Sequence, residues 1–509
     1  MGEPRVKIEK GKILPGEFKI GEYVVAGDLT IADGKSNLYA HSPEFFLGRD
    51  MDHNSVLGIL RGGSHVSLIN CLIPPIPGTH SSPAGRSYFS DIYPHYVLVG
   101  RHHLDEVEQK VVEICWRLEE LHNVFYDFDA YGSSDVPEKY IGDLVADTAS
   151  KYNREIPVGE HPQILYYTGR HELFRCDLEF GTLRVTHGLH SFMGQFHTSM
   201  SKRLYFRLAF AQPAAFFDTW EKVGILTSLL EIIIGRSQVE KKLYIGTTDE
   251  PPTYLRVYPS FKRKVRKFGR DRHVSPHDVM IDGLKKPEIL ASIIKHWFAT
   301  QSEMGDARGR FQNSFRKENY YSIDRVIAAA NLFDLIPDRH FPKKVELPEC
   351  VVEAVKACTT IFEALPESSF QKTILVELSK LGASKLKEKV KVWAKDLISQ
   401  SAGVLDEIEY VIDRAINCRN YFVHGGKSEF KYLENTQLLS FLVRTLEFCY
   451  ALPELMRGGL IWDYWLRTYR GGNHPFSSYV YEYADCLKLL QKEVAAHKEA
   501  VKLAKKPNP

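Results

Sequence analysis

Along the first half of the chain, apolar residues fall in short runs broken by glycine, aspartate and proline. Along the second half they recur every three or four positions. The first habit predicts strands and the second predicts helices. Tyr23–Ala26 and Leu29–Ile31, with Asp33-Gly34 behind them, form such short runs. Ser55–Leu60, the Gly62-Gly63 pair and Val66–Ile73 predict a hairpin. Further predicted strands cover Tyr96–Val99, Ile164–Thr168, Glu172–Phe180, Leu183–Thr186, Arg203–Phe210, Leu243–Ile245 and Tyr254–Val257. Val111–Leu121 fits either period. Pro213 is placed to open a helix running to Ile234, with Gly235 as its C-cap.

From about Pro287 the period changes. Leu386, Val390, Trp393 and Leu397 mark one helix face, and Val404, Ile408, Val411, Ile412 and Ala415 a second. Leu438, Leu439, Leu442, Leu446 and Cys449 mark a third, and Tyr483–Leu503 a last, lysine-rich helix. The expected fold class is therefore α+β and multidomain. A β-rich region over 1–300, a sandwich or curved sheet with packed helices, can divide into two subdomains near 155. An all-α helical bundle over 301–509 follows it, and no internal repeat interrupts either.

Composition adds limits rather than direction. A chain of 509 residues exceeds what one core supports. The 44% hydrophobic and 26% charged shares are ordinary, and a formal net charge of +2 announces no global affinity for nucleic acid. The eight cysteines form no CxxC pair, and several fall on apolar helix positions, so they read as reduced, mostly buried thiols of a cytoplasmic protein. The charged N-terminus lacks a signal-like apolar stretch. The longest apolar run, 224–234, is too short and too polar at Thr227, Ser228 and Glu231 to span a bilayer, so no membrane association is expected.

The segment richest in chemistry runs from Asp413 through Arg419, Asn420 and His424 to Gly425-Gly426. The glycine pair should stop the helix, leaving His424 in the last turn, where the negative end of the dipole attracts a cation. At about 100° per residue, Asp413, Asn417, Asn420 and His424 make one polar stripe, and Asn420 is placed to bond the imidazole. Arg419 lies about 140° from His424, on the apolar face with Ile408, Ile412, Ala415 and Ile416. A charge there is costly unless paired or facing a polar cavity. On periodicity alone, the pair reads first as a structural cap.

Arg419-Asn-x-x-x-His424, late in a helical bundle and after a Leu-x-x-x-Val-x-x-Trp helix, resembles the Arg-x4–6-His signature of HEPN ribonucleases. The stretch from Gly16-Glu-Phe18 through Tyr23-Val-Val-Ala-Gly27-Asp-Leu-Thr-Ile31, with Val66-Ser-Leu-Ile-Asn-Cys71, resembles the N-terminal domain of the ApeA group of Abi-like anti-phage HEPN nucleases. The resemblance implies metal-independent RNA cleavage by 2′-hydroxyl attack, with no cofactor and no metal. It implies that His424 moves a proton, Arg419 stabilises phosphorane charge and Asn420 orients His424 or the phosphate. It also implies a site shared across a homodimer or larger even oligomer, which would answer the 140° offset. Abortive infection through cleavage of a host RNA, with tRNA first in line, is the implied role, under control of a phage-derived activator.

Three other features compete for attention. Phe261–His273 packs seven Lys/Arg into positions 262–272, among them Lys262, Arg263, Lys264, Arg266, Lys267 and Arg270, with Phe261 and Phe268 interleaved. It fits RNA binding or a solvated edge strand. Lys387, Lys391 and Lys395 line one helix face, most simply a solvated one. His187, His190 and His197, with no HExxH or cysteine partner, read as strand and turn residues rather than a metal site. No GxxxxGK[ST], GxSxG or GxGxxG signature is present. The rival to the nuclease is a non-catalytic ligand-binding protein that dimerises through its bundle, and a metal enzyme built on the histidines stands third.

Overall fold

The structure is a computed structural model. It describes residues 8–46, 55–83, 85–135, 137–195, 198–248, 253–261, 274–342, 347–379, 381, 385–468 and 472–504. A large antiparallel sheet occupies the N-terminal part, and the chain from Pro287 to Ala504 is helical. Two compact units result. The first takes the strands, and the second takes Ile225–Ser237 together with the helices from Glu288 onward.

The strands are β1 (Ile13–Ile20), β2 (Tyr23–Thr30), β3 (Asn37–Ser42), β4 (Val56–Leu60), β5 (His65–Leu72), β6 (Gly78–Ser82), β7 (Gly85–Gly100) and β8 (Val111–Leu118). They continue as β9 (Tyr131–Asp135), β10 (Gln163–Tyr167), β11 (Glu172–Leu178), β12 (Gly181–Met193), β13 (Thr198–Ala214), β14 (Glu240–Thr247) and β15 (Tyr254–Pro259). Pairing runs β7–β3–β2–β1–β4–β5 and then returns from β5 to β7, so these strands close into a barrel. Alternate side chains point inward, and Phe18, Val25, Leu29, Leu38, Val56, Val66, Leu68, Ile92 and Val97 fill the interior. From the other edge of β7 an open sheet continues as β15–β14–β8–β13–β12–β11.

Both predicted halves of the first hairpin are present, β4 pairing β5 across the Gly62-Gly63 turn. The ambiguous Val111 segment is β8, followed by a short helix at Leu121–Val124. The helix expected from Pro213 begins instead at Phe216, because β13 continues to Ala214 through a register shift after Ala209. A proline fits such an irregular strand end because no ladder donor is needed there. Gly235 ends that helix at φ +84°, its N–H donating to the Glu231 carbonyl at 2.9 Å. The Glu138–Lys151 helix, between β9 and β10, is not among the predicted elements although Tyr140, Ile141, Leu144 and Val145 stand at helical spacing, and none of its residues is buried.

In the helical unit, Thr436–Arg457 is the central element. Asn435 caps its start, its Oδ1 accepting from Leu438 N at 3.0 Å. Nearly every residue from Leu438 to Leu455 is buried, including Glu447 and Glu454. A buried carboxylate needs a partner. Arg325 grips Glu447 with Nε at 2.9 Å and Nη2 at 2.8 Å, and Arg308 pairs with Glu454. The predicted Leu386 helix is two short ones, Leu386–Trp393 and Lys395–Gln400, hinged at Ala394. Its Trp393 stacks on Tyr450 and donates Nε1–H to the Tyr450 carbonyl at 3.1 Å.

Candidate active site

The helix carrying the Arg/His motif spans Ile408–His424, starting four residues later than the apolar period suggests because Glu407 sits in the left-handed region at φ +56°. It stops where expected. Gly425 has φ +73° and its N–H donates to the Tyr421 carbonyl at 3.1 Å, so His424 is the last helical residue. Ile408, Val411, Ile412, Ala415, Ile416 and Cys418 are buried, mostly against the helices Ile323–Asn331, Leu386–Trp393 and Thr436–Arg457. Arg419 follows directly on this apolar face and is half-buried; His424 is exposed.

Three hydrogen bonds fix the guanidinium. Arg419 Nε donates to Asn331 Oδ1 at 2.9 Å, Nη1 donates to Asn420 Oδ1 at 3.0 Å, and Nη1 lies 3.1 Å from His424 Nε2. The angular offset between Arg419 and His424 is thus no barrier: the long arginine side chain folds back along the helix and reaches the imidazole within one chain. Arginine has no acceptor. In this contact the His424 Nε2 must therefore offer its lone pair, with the ring proton on Nδ1. Asn420 serves the arginine, where periodicity placed it on the imidazole.

The rest of the expected polar stripe is used elsewhere. Asp413 pairs with Lys391 at 3.1 Å, and Asn417 Nδ2 donates to Glu429 Oε1 at 2.9 Å. Arg414 also pairs with Glu429, at 2.6 Å. Lys391 bridges Asp413 and Glu409, so that member of the lysine line ties two helices together. The stripe therefore leaves only its C-terminal end open to a ligand.

Asn331 is the site residue that the sequence did not disclose. It closes the Ile323–Asn331 helix, 88 positions from Arg419, after three alanines. Its only local signal is an amide at the end of a small-residue helix, which is too common to single out.

The remaining candidates do not converge on this site. Lys262, Arg263, Lys264, Arg266, Lys267 and Arg270 lie outside the described residues, as does His197. His187 points Nδ1 at the Arg170 carbonyl, 2.9 Å away, and burial pushes its pKa down. Among the described residues no three His, Cys, Asp or Glu side chains gather as metal ligands, and no helix is long and apolar enough to cross a membrane.

The family model for ApeA N-terminal domain 1 matches residues 15–297, and that for Apea-like HEPN matches residues 327–453. Asn331, Arg419, Asn420 and His424 all fall within the second match. No curated protein and no solved structure matches the chain.

Proposed function

Since the chain belongs to the ApeA-like HEPN family of anti-phage proteins, we propose that it is an endoribonuclease whose catalytic groups are Arg419 and His424. The observation that carries this reading is the 3.1 Å approach of Arg419 Nη1 to His424 Nε2 at an exposed helix end. A cation and a basic nitrogen are thereby aimed at one point, and a phosphodiester is the group that needs both.

The imidazole lone pair at Nε2 takes the proton of a ribose 2′-hydroxyl as its oxygen bonds to phosphorus. The bond from phosphorus to the 5′-oxygen breaks and that oxygen takes a proton from solvent water, leaving a 2′,3′-cyclic phosphate and a 5′-hydroxyl. Arg419, released from the imidazole by the incoming phosphate, places its planar fork on the non-bridging oxygens as their charge grows. Asn331 and Asn420 hold it through Nε and Nη1. DNA lacks the attacking hydroxyl and is spared. The proposed substrate is a host RNA, tRNA first, and the proposed assembly is a homodimer or larger even oligomer in the cytoplasm.

Wild type, Arg419→Ala and His424→Ala, each incubated with total cellular RNA in EDTA and phage lysate, test the reading. Cleavage by wild type alone, with cyclic phosphate ends, is expected. Equal behaviour of all three sinks it and favours a non-catalytic binding protein. The strand-rich region is proposed as the restraint that yields to a phage-derived activator. Loosening its barrel with Phe18→Ala should then make the protein toxic without phage, and a harmless variant that still cleaves RNA on activation speaks against restraint.

A further inference from the structure

A second site lies in the strand unit. A cavity of about 330 Å³ opens where the ends of β8, β14 and β15 meet the turn after β2. Its walls carry five cationic side chains, Lys10, Arg117, Lys241, Lys242 and Arg256, against two acids, Asp33 and Glu240. Some of that charge is answered locally: Lys10 pairs with Asp33 at 2.5 Å and Lys241 with Glu119 at 3.0 Å.

Arg117 and Arg256 are different. Neither has a carboxylate partner among the described residues, although both are half-buried. Each guanidinium lies instead near an aromatic ring, Arg117 at 5.6 Å from the Tyr205 centroid and Arg256 at 4.7 Å from that of Tyr258. Ring contact steadies a guanidinium while leaving its in-plane N–H fork unspent. Arg117 Nε is shielded from solvent and, among the described residues, donates to nothing. An unmet buried donor costs about 1–3 kcal/mol, so such a group is expected to meet an acceptor in the functioning molecule.

The backbone is also shaped at this point. Between Lys241, opposite Arg117, and Tyr244, opposite Cys115, β14 carries one residue more than β8. Lys242 absorbs the bulge at φ +54°. Bulges re-aim side chains beside binding sites, and left-handed conformations of non-glycine residues persist where something holds them.

We propose that this cavity binds a small phosphorylated ligand, with Arg117 and Arg256 as forks for the oxygens of a phosphate chain. Its volume falls in the range of small-molecule sites and admits a ligand of nucleotide size. The proposal is independent of the nuclease reading, because none of these residues belongs to the Arg419 site.

Titration calorimetry of the full chain at low ionic strength tests it, with ATP, inorganic tripolyphosphate and orthophosphate as separate probes. Binding of ATP or tripolyphosphate should weaken at least about tenfold in Arg117→Gln and in Arg256→Gln. Arg256→Lys, which keeps the charge but loses the fork, should weaken it too, and the exposed control Lys139→Gln should not. Tighter binding of ATP than of tripolyphosphate identifies a nucleotide; equal binding identifies the phosphate chain alone. Absence of binding by all three probes at millimolar concentration overturns the proposal, as does equal weakening in the Lys139 control. Thermal unfolding of each variant separates loss of the ligand from loss of the fold, and Arg256→Lys keeps the test decisive if Arg117→Gln unfolds.

Discussion

Replacing Asn331 by alanine removes the acceptor of the Arg419 Nε proton and touches nothing else that the proposed chemistry uses. A hydrogen bond to a charged group contributes roughly 1.5–3 kcal/mol when buried. Both residues are only partly buried, so solvent competes and about 1 kcal/mol of positioning remains. If that energy acts on the transition state, cleavage should fall about fivefold, since about 1.4 kcal/mol is a factor of ten. Arg419→Ala removes the charge itself and should cost about 10²–10³-fold, the range for deleting one oxyanion donor. Asn331→Asp separates the two roles. A carboxylate would grip the guanidinium more tightly yet neutralise it toward phosphate, so activity should drop further than in the alanine variant while the melting temperature holds. The assay is single-turnover cleavage of a labelled RNA fragment that wild type cuts, with protection against phage as a second readout. Full activity in Asn331→Ala beside an inactive Arg419→Ala would refute the positioning argument.

Three further outcomes follow from the packing of the helical unit. His474 accepts from Phe476 N–H at Nδ1 (3.1 Å), and its Nε2–H donates to the Ile232 carbonyl (2.9 Å); burial lowers its pKa to about 4, against the opposing pull of the Ile232 carbonyl and Asp278. The unfolded chain takes up that proton first. Stability is therefore complete above pH 6.5 and is lost as pH falls through 4, by on the order of 3 kcal/mol, and denaturant titrations of His474→Gln should show a flatter acid limb. Glu447→Ala strands Arg325 in the core and should cost about 3–5 kcal/mol in chemical denaturation, with much of it recovered in Arg325→Met/Glu447→Leu. Gly235→Ala forces a side chain into positive φ and sets its Cβ 2.4 Å from His474 Cδ2; about 2–4 kcal/mol of destabilisation is expected by thermal unfolding.

What the chain disclosed in advance was whatever is local. Strand runs such as Val66–Ile73, the Gly235 and Gly425 helix ends and the Arg419/His424 spacing are each written within a dozen residues. The barrel was not legible, because its closure depends on β5 meeting β7 and β3 meeting the same strand along its other edge, and pairing register leaves no mark in either sequence alone. Asn331 stayed hidden for the same reason, since its meaning comes from a helix 88 positions away. Helical angle says where a side chain leaves the backbone and not how far it reaches, and it is reach that brings Arg419 to His424 and Asn420 to the arginine.

The barrel has a consequence for synthesis on the ribosome. Every strand of the closed circuit lies within Ile13–Gly100, so it can shut as soon as β7 leaves the exit tunnel. The far edge of β7 has no such promptness: Val99 must wait for Arg256, 157 positions later. At about 5–20 residues per second that interval is roughly 8–30 s. During it the nascent chain displays an unpaired strand edge rich in Val97, Leu98 and Val99, a template for pairing between neighbouring nascent chains. Slower translation between Gly100 and Tyr254 is then expected to lengthen the exposure of that edge.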